Sequence, residues 1–211
     1  MRNDDPSTLA ILFVYLPLYL ISKARGRSAG LCTGRTGIGY PIQTQKEHHT
    51  GRTPLTRIPN FKPIERIVLD SMHLLFLGIM KRLLSVYWIG SSSRKKTVGT
   101  MLARESARIS RRLENLRRFI PHEFPRKIRG LVELARFKAT EFRFFTLYCG
   151  PVVLRNKLPM QFYKHFLLFH VASRIMCCAE LSRTLLQYAK DLCKHFFDFL
   201  PDLYGADSQD H

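Results

Sequence analysis

Negative charge is what this chain has least of. Sixteen acidic side chains stand against 34 basic ones, a formal net charge of +18 on 211 residues. That imbalance disfavours a cationic partner and favours an anionic one: nucleic acid, an acidic protein or an anionic membrane. A fragment whose acidic half lies elsewhere would carry the same surplus. Cysteine is sparse too. The five are Cys32, Cys149, Cys177, Cys178 and Cys193, an odd number with no C-x-x-C pair. This excludes a disulfide framework or a zinc knuckle built within the chain, and fits a reducing compartment, nuclear or cytoplasmic. Tryptophan occurs once, at Trp88. No apolar run reaches the ~20 residues that span a bilayer. The nearest, residues 9–21 (LAILFVYLPLYLI), has 13 and is interrupted by Pro17. Asp4 and Asp5 precede it where a signal peptide carries positive charge, and no small-x-small cleavage site follows. A buried segment, a misplaced gene start and a membrane role are the readings open to it; a membrane partner is not expected.

Hydrophobic residues, in contrast, are plentiful. At 45% they can build a core, which excludes wholesale disorder. The chain reads as three parts. Residues 1–53 hold the apolar segment and a glycine-rich basic stretch without periodicity, a loop pattern. Residues 54–205 carry the helical patterns. Residues 206–211 are a polar tail, expected to fray. Within the first part, Gly34-Arg-Thr-Gly-Ile-Gly39 has the glycines of a phosphate loop but no strand before it and no Gly-Lys-Ser/Thr ending. His48 and His49, beside Glu47, are better suited to solvent than to a metal.

The organising stretch is residues 64–89, IERIVLDSMHLLFLGIMKRLLSVYWI. Ile67, Val68 and Leu69 predict a short buried strand. From Met72 the period becomes helical, with Leu75, Ile79, Leu83 and Val86 on one stripe. Leu74, Leu77, Met80 and Leu84 fill most of the other face, so the helix is expected to be buried nearly all round. Asp70 then marks the change from strand to helix, with His73 one turn on. A carboxylate there has two roles open to it, a site residue or a helix N-cap, and His73 is either its companion or a partly buried core side chain.

Four further helices are expected: residues 98–119, 131–148 with a break near Lys138, 161–181 and 182–200. The first is basic and amphipathic. Leu102, Ile109, Leu113, Leu116 and Ile120 line one face; Arg104, Arg108, Arg111, Arg112, Arg117 and Arg118 occupy much of the rest. Arg126, Lys127 and Arg129 extend this surface. Two readings apply, a solvated helix face or contact with nucleic-acid phosphates, which gives affinity with little sequence choice. Gly150-Pro151 predicts a helix stop, and Pro201 another. Glu141, among aromatics, is either a site residue or the partner of Arg143, Lys138 or another base. Cys177 and Cys178 read as core.

Several blocks, in order, resemble one family. They are HHTGRTPL at 48–55, LDSMHLLFLGIMK at 69–81, PHEFPRK at 121–127, RFKATEFR at 136–143 and LYCGPVVL at 147–154. This order is similar to the transposase-domain proteins related to CACTA (En/Spm-like) cut-and-paste elements, over residues 47–205. The resemblance implies a mainly α fold, with a short strand leading into a central buried helix: a partial ribonuclease-H-like core plus its helical insertion. It implies acidic side chains holding two Mg²⁺ or Mn²⁺ ions. It maps Asp70 and His73 to the Asp-x-x-His element and Glu141 to the late acid, making Asp70 and Glu141 the metal ligands. The family's two earlier acids belong upstream, where only Asp4, Asp5, Glu47 and Glu65 occur. The expectation is therefore a truncated, transposon-derived copy: DNA-binding, catalytically incomplete and without a cofactor, with duplex phosphates or another copy of itself as partner and no small-molecule substrate. An active metal-dependent nuclease and a helical protein-interaction module are the alternatives.

Overall fold

The computed structural model describes residues 54–60, 70–89 and 99–205. The chain divides into two units between Asp70 and Ser71. Of the first, the described part is a single 3-10 turn, Pro54–Arg57, with the residues after it and Asp70. The expected strand 67–69, the glycine-rich stretch and the apolar segment 9–21 lie outside the described residues.

The second unit is helical, and among its described residues there is no strand. It opens with two helices of wide winding, α1 (Met72–Met80) and α2 (Leu83–Trp88), continuous through Lys81 and Arg82. Their backbone bonds reach five residues back, as in Lys81 N–H to Phe76 O and Ile89 N–H to Leu84 O. This changes which side chains go inside. A 3.6-residue period puts Met72, Ile79 and Val86 on the core stripe. In the wider winding Leu75, Phe76, Met80, Leu83, Leu84, Tyr87 and Trp88 are buried, while Met72 is exposed and Ile79 and Val86 are half-buried. The helix is one-sided, not buried all round.

The next helix, α3 (Ala103–Leu116), begins later than expected, because Met101 donates its N–H to Trp88 O at 2.6 Å and Leu102 is extended. A 3-10 turn, Arg117–Phe119, closes it. A kinked 3-10 segment, Leu131–Arg136, precedes the expected break at Lys138. Then α4 (Ala139–Phe144), α5 (Phe145–Cys149, wide winding) and α6 (Gly150–Leu154) run on from one another. Gly150-Pro151 does not stop the chain. The wide turn restarts the winding, so Pro151 falls in the first turn of α6, where its missing N–H costs little. Gly150 is there for packing: a Cβ would lie 2.7 Å from Phe145 O and 2.7 Å from Phe166 Cζ. Gly150→Ala is expected to lower stability by about 2 kcal/mol, against the ~1 kcal/mol that alanine gains in an open helix. Urea denaturation checks this; a raised midpoint would contradict it.

Helices α7 (Met160–Met176) and α8 (Ala179–Asp198) form an antiparallel pair. The join falls at Cys177-Cys178, not at residues 181–182. Cys178 N–H bonds Ile175 O, three residues back, and Cys178 O accepts from Ser182 N–H to open α8. Pro201 also marks a start: it sits in the first turn of α9 (Leu200–Tyr204), which brings Tyr204 into the core. There α4 packs on α1, and α3 packs on the Leu131–Arg136 segment and α6.

At the centre lies Trp88, fully buried with its edge to Phe166 at 5.8 Å. Its Nε1–H donates to Tyr204 Oη at 3.3 Å. Tyr204 Oη lies 3.4 Å from His165 Nδ1, and His165 Nε2 lies 2.7 Å from Phe196 O. The carbonyl can only accept, so Nε2 carries the proton and Nδ1 accepts from the tyrosine. One chain of polar groups thus ties α2, α7, α8 and α9 together. Burial pushes the His165 imidazole down to about 4, outweighing the Phe196 carbonyl, and pushes the Tyr204 phenol up.

Candidate nucleic-acid interface

Helix α3 forms because its inner face has somewhere to go. Ile109 and Leu113 are fully buried, and Ser110 Oγ accepts the Val132 N–H at 3.2 Å. Gly130 lies against the side-chain ends of Glu114 and Ser110, which brings the following segment onto the helix. With that face fixed, the arginines have one direction left. Arg104, Arg108, Arg111 and Arg118 recur at turn spacing on the opposite side, and all are exposed. The row is about 21 Å long at 1.5 Å per residue. Arg112 and Arg117 are exposed beside it.

Neutralisation along this row is uneven. Glu105, in the first turn, takes Arg108 at 2.8 Å, Arg104 at 3.8 Å and Lys157, from the turn after α6, at 3.0 Å. The Lys157 contact is the first cause of a Glu105 carboxyl held below its ordinary value, with Arg108 adding to it against the opposing effect of burial. Beyond this, Glu114 and Glu123 are the only acids before Arg129. Between Arg104 and Arg129 there are nine basic and three acidic side chains, a local net of +6. Among the described residues no acidic group pairs with Arg111, Arg112, Arg117, Arg126 or Lys127; the last two stand exposed on the loop after α3.

Arg129 is different. Sequence placed it on the basic surface; its guanidinium is instead turned to Glu141. Nε donates to Glu141 Oε1 at 2.9 Å and Nη2 to Oε2 at 2.7 Å, a two-pronged pair. Nη2 also bonds Arg136 O, and Glu133 lies 3.5 Å from Nη1. Glu141 is 1% exposed, and its Oε2 also accepts the Lys138 N–H at 2.9 Å, satisfying a free amide at the start of α4. Burial alone would raise the Glu141 carboxyl. The Arg129 bonds and the Lys138 amide overcome this and hold it below the ordinary carboxylate value, while Arg129 is held above its own. The partner is neither Arg143 nor Lys138 by its side chain, the two bases nearest in sequence.

Of the remaining candidates, Asp70 is exposed and belongs to the first unit, while Glu141 and His73 belong to the second. His73 is exposed, not partly buried. Helix α1 has Ser71 at its N-cap and no side-chain bond there. Among the described residues, no three His, Cys, Asp or Glu side chains form a group able to hold a metal ion. The donor set does not fit a metal pair as it stands, because both Glu141 oxygens are engaged. A carboxylate kept for a cation and one kept for Arg129 respond oppositely to removal. Glu141→Ala is expected to cost about 2 kcal/mol, less than the ~3–5 kcal/mol of a fully buried broken pair, because Arg129 keeps some contact with water. Urea denaturation of metal-free protein checks this; unchanged or increased stability would contradict it.

Sequence reasoning missed three features: the Trp88–Tyr204–His165 chain, the Glu105–Lys157 bridge and the exposed ring of Phe119. His165 carried a signal, since it falls three residues after Phe162 within an apolar helix.

No family model, no curated protein and no solved structure matches this chain. The site stands on its geometry. No helix among the described residues is long and apolar enough to cross a membrane.

Proposed function

We propose that this chain is a transposon-derived, DNA-binding helical protein, related to CACTA-type transposase domains, that grips duplex phosphates along α3 without sequence choice and does not cut. On this reading it works in the nucleus or cytoplasm. On the family resemblance, the helical unit is the counterpart of the helical insertion of a ribonuclease-H-like core. The observation that carries the binding is the exposed arginine row, in whose second half no acidic group among the described residues forms an ion pair with Arg111, Arg112 or Arg117. Such a row, on a helix anchored by Ile109 and Leu113, presents fixed cations to a polyanion at little ordering cost. The ordered sequence blocks support the family. Incomplete catalysis is supported by the engagement of Glu141 with Arg129.

A supercoiled plasmid incubated with the protein and Mn²⁺ tests both parts. The expected result is a retarded but intact plasmid. Nicking that disappears in Asp70→Ala would overturn the inactive reading, and an unretarded plasmid would overturn DNA binding.

A further inference from the structure

The arginine row ends at a ring that does not belong on a surface. Phe119 is 68% exposed, and the Arg118 guanidinium lies over it, 4.8 Å from the ring centre. Five residues on, Phe124 enters a second aromatic group. It meets Phe144 edge-on at 5.1 Å and Tyr148 edge-on at 5.5 Å, and Phe144 lies 5.5 Å from Tyr148. Tyr148 is 42% exposed, and the Arg174 guanidinium lies 5.3 Å from its ring centre. Two rings therefore reach solvent, each with an arginine against it. Phosphate contact explains arginines but not rings. Exposed aromatic surface is unfavourable in water, and a guanidinium laid on a ring forms a flat cationic platform.

Resting on the nucleic-acid reading above, we propose that this surface takes an unpaired nucleic-acid strand, with bases stacked on Phe119 and Tyr148 and phosphates on the adjoining arginines. A base inside a duplex has both faces covered by its neighbours. Only an unpaired base offers a free face to an aromatic side chain. The Cα atoms of Phe119 and Phe124 are at most about 17 Å apart along the chain, so one short strand reaches both aromatic groups. Stacking of this kind tolerates any base, as does the arginine row.

Fluorescence polarisation with labelled oligo-dT, oligo-U, an abasic strand of equal phosphate number and a duplex tests the proposal, each probe about 16 nucleotides long, the upper site size of single-strand-binding folds. Oligo-dT and oligo-U are expected to bind more tightly than the abasic strand. Phe119→Ala and Tyr148→Ala, both at exposed positions, are each expected to weaken oligo-dT about tenfold while leaving the duplex, the abasic strand and the salt dependence unchanged. Tighter binding of oligo-dT and oligo-U than of the abasic strand supports stacking. If the abasic strand binds as well as oligo-dT, or the variants lose nothing, stacking is wrong and the phosphate surface stands. If no probe binds, the nucleic-acid reading itself fails.

Discussion

Between pH 6.5 and pH 5 the protein is expected to lose about 2 kcal/mol of unfolding free energy, and about 3 kcal/mol by pH 4. The cause is His165. Its folded value, about 4, lies below the ordinary 6.5, so below pH 6.5 the unfolded chain takes up a proton that the native state refuses. The native state refuses it for a geometric reason. Nε2–H already points at Phe196 O, Nδ1 already accepts from Tyr204, and the ring is stacked 4.2 Å from that of Phe196, with no carboxylate of the described residues paired with it. A charge there is buried and unpaired among the described residues. The stabilisation is complete above pH 6.5 and lost as pH falls toward 4. Glu141 acts in the same sense, but only below its ordinary value of 4.5. His165→Gln separates the two, because the amide can keep a donor toward Phe196 O and cannot titrate in this range. The variant is expected to be less stable at neutral pH and flat between pH 6.5 and 5. The emission of Trp88, the single tryptophan and itself in this polar chain, reports the unfolding. A wild-type protein equally stable at pH 7 and pH 5 would contradict the account.

Replacing Arg111, Arg112 and Arg118 together with glutamine is expected to weaken duplex binding roughly a hundredfold at ~0.1 M salt and to reduce the slope of log K against log salt by about 2.7, three contacts at 0.9 each. These three are chosen because none shares Glu105, whereas Arg104 and Arg108 do. Neutralising Arg104 and Arg108 is therefore expected to change affinity less, since part of their charge is already balanced. Glutamine keeps the length of the side chain and suits a helix, so the fold is retained. Parallel titrations of both variants check the ordering, and equal losses from the two sets would contradict it.

How far the sequence led depends on which force decided each element. Where an amphipathic pattern faced a packed partner, it was legible: α3, its buried Ile109 and Leu113, and its arginine face follow from periodicity alone. The mainly helical character follows likewise. Where local winding departed from 3.6 residues per turn, the pattern misled. In α1 and α2, Leu75, Met80, Leu83 and Leu84 are buried as expected, but Met72, Ile79 and Val86 are not, and Phe76 and Trp88 are buried instead; apolar residues fill the stretch so evenly that no periodicity reveals the wide turns. Gly150-Pro151 misled for a related reason, since the same kind of turn places the proline where a new winding begins. The Arg129–Glu141 pair was illegible because it joins residues 12 apart across a kinked 3-10 segment, and spacing rules for ion pairs reach only four residues along a helix. Glu141 itself stood out as an acid among aromatics. What that singularity signals here is a buried pair holding the start of α4.

Binding of a polyanion to the basic face through charge is the central property proposed for this protein. The most direct measurement is the affinity of the whole protein for a short duplex of arbitrary sequence, taken across a range of potassium chloride concentrations. Tight binding at low salt, a linear fall with a slope of about −4 or steeper, and the same constants for unrelated sequences are the expected result. Affinity that is absent at low salt, or that does not change with salt, would contradict it.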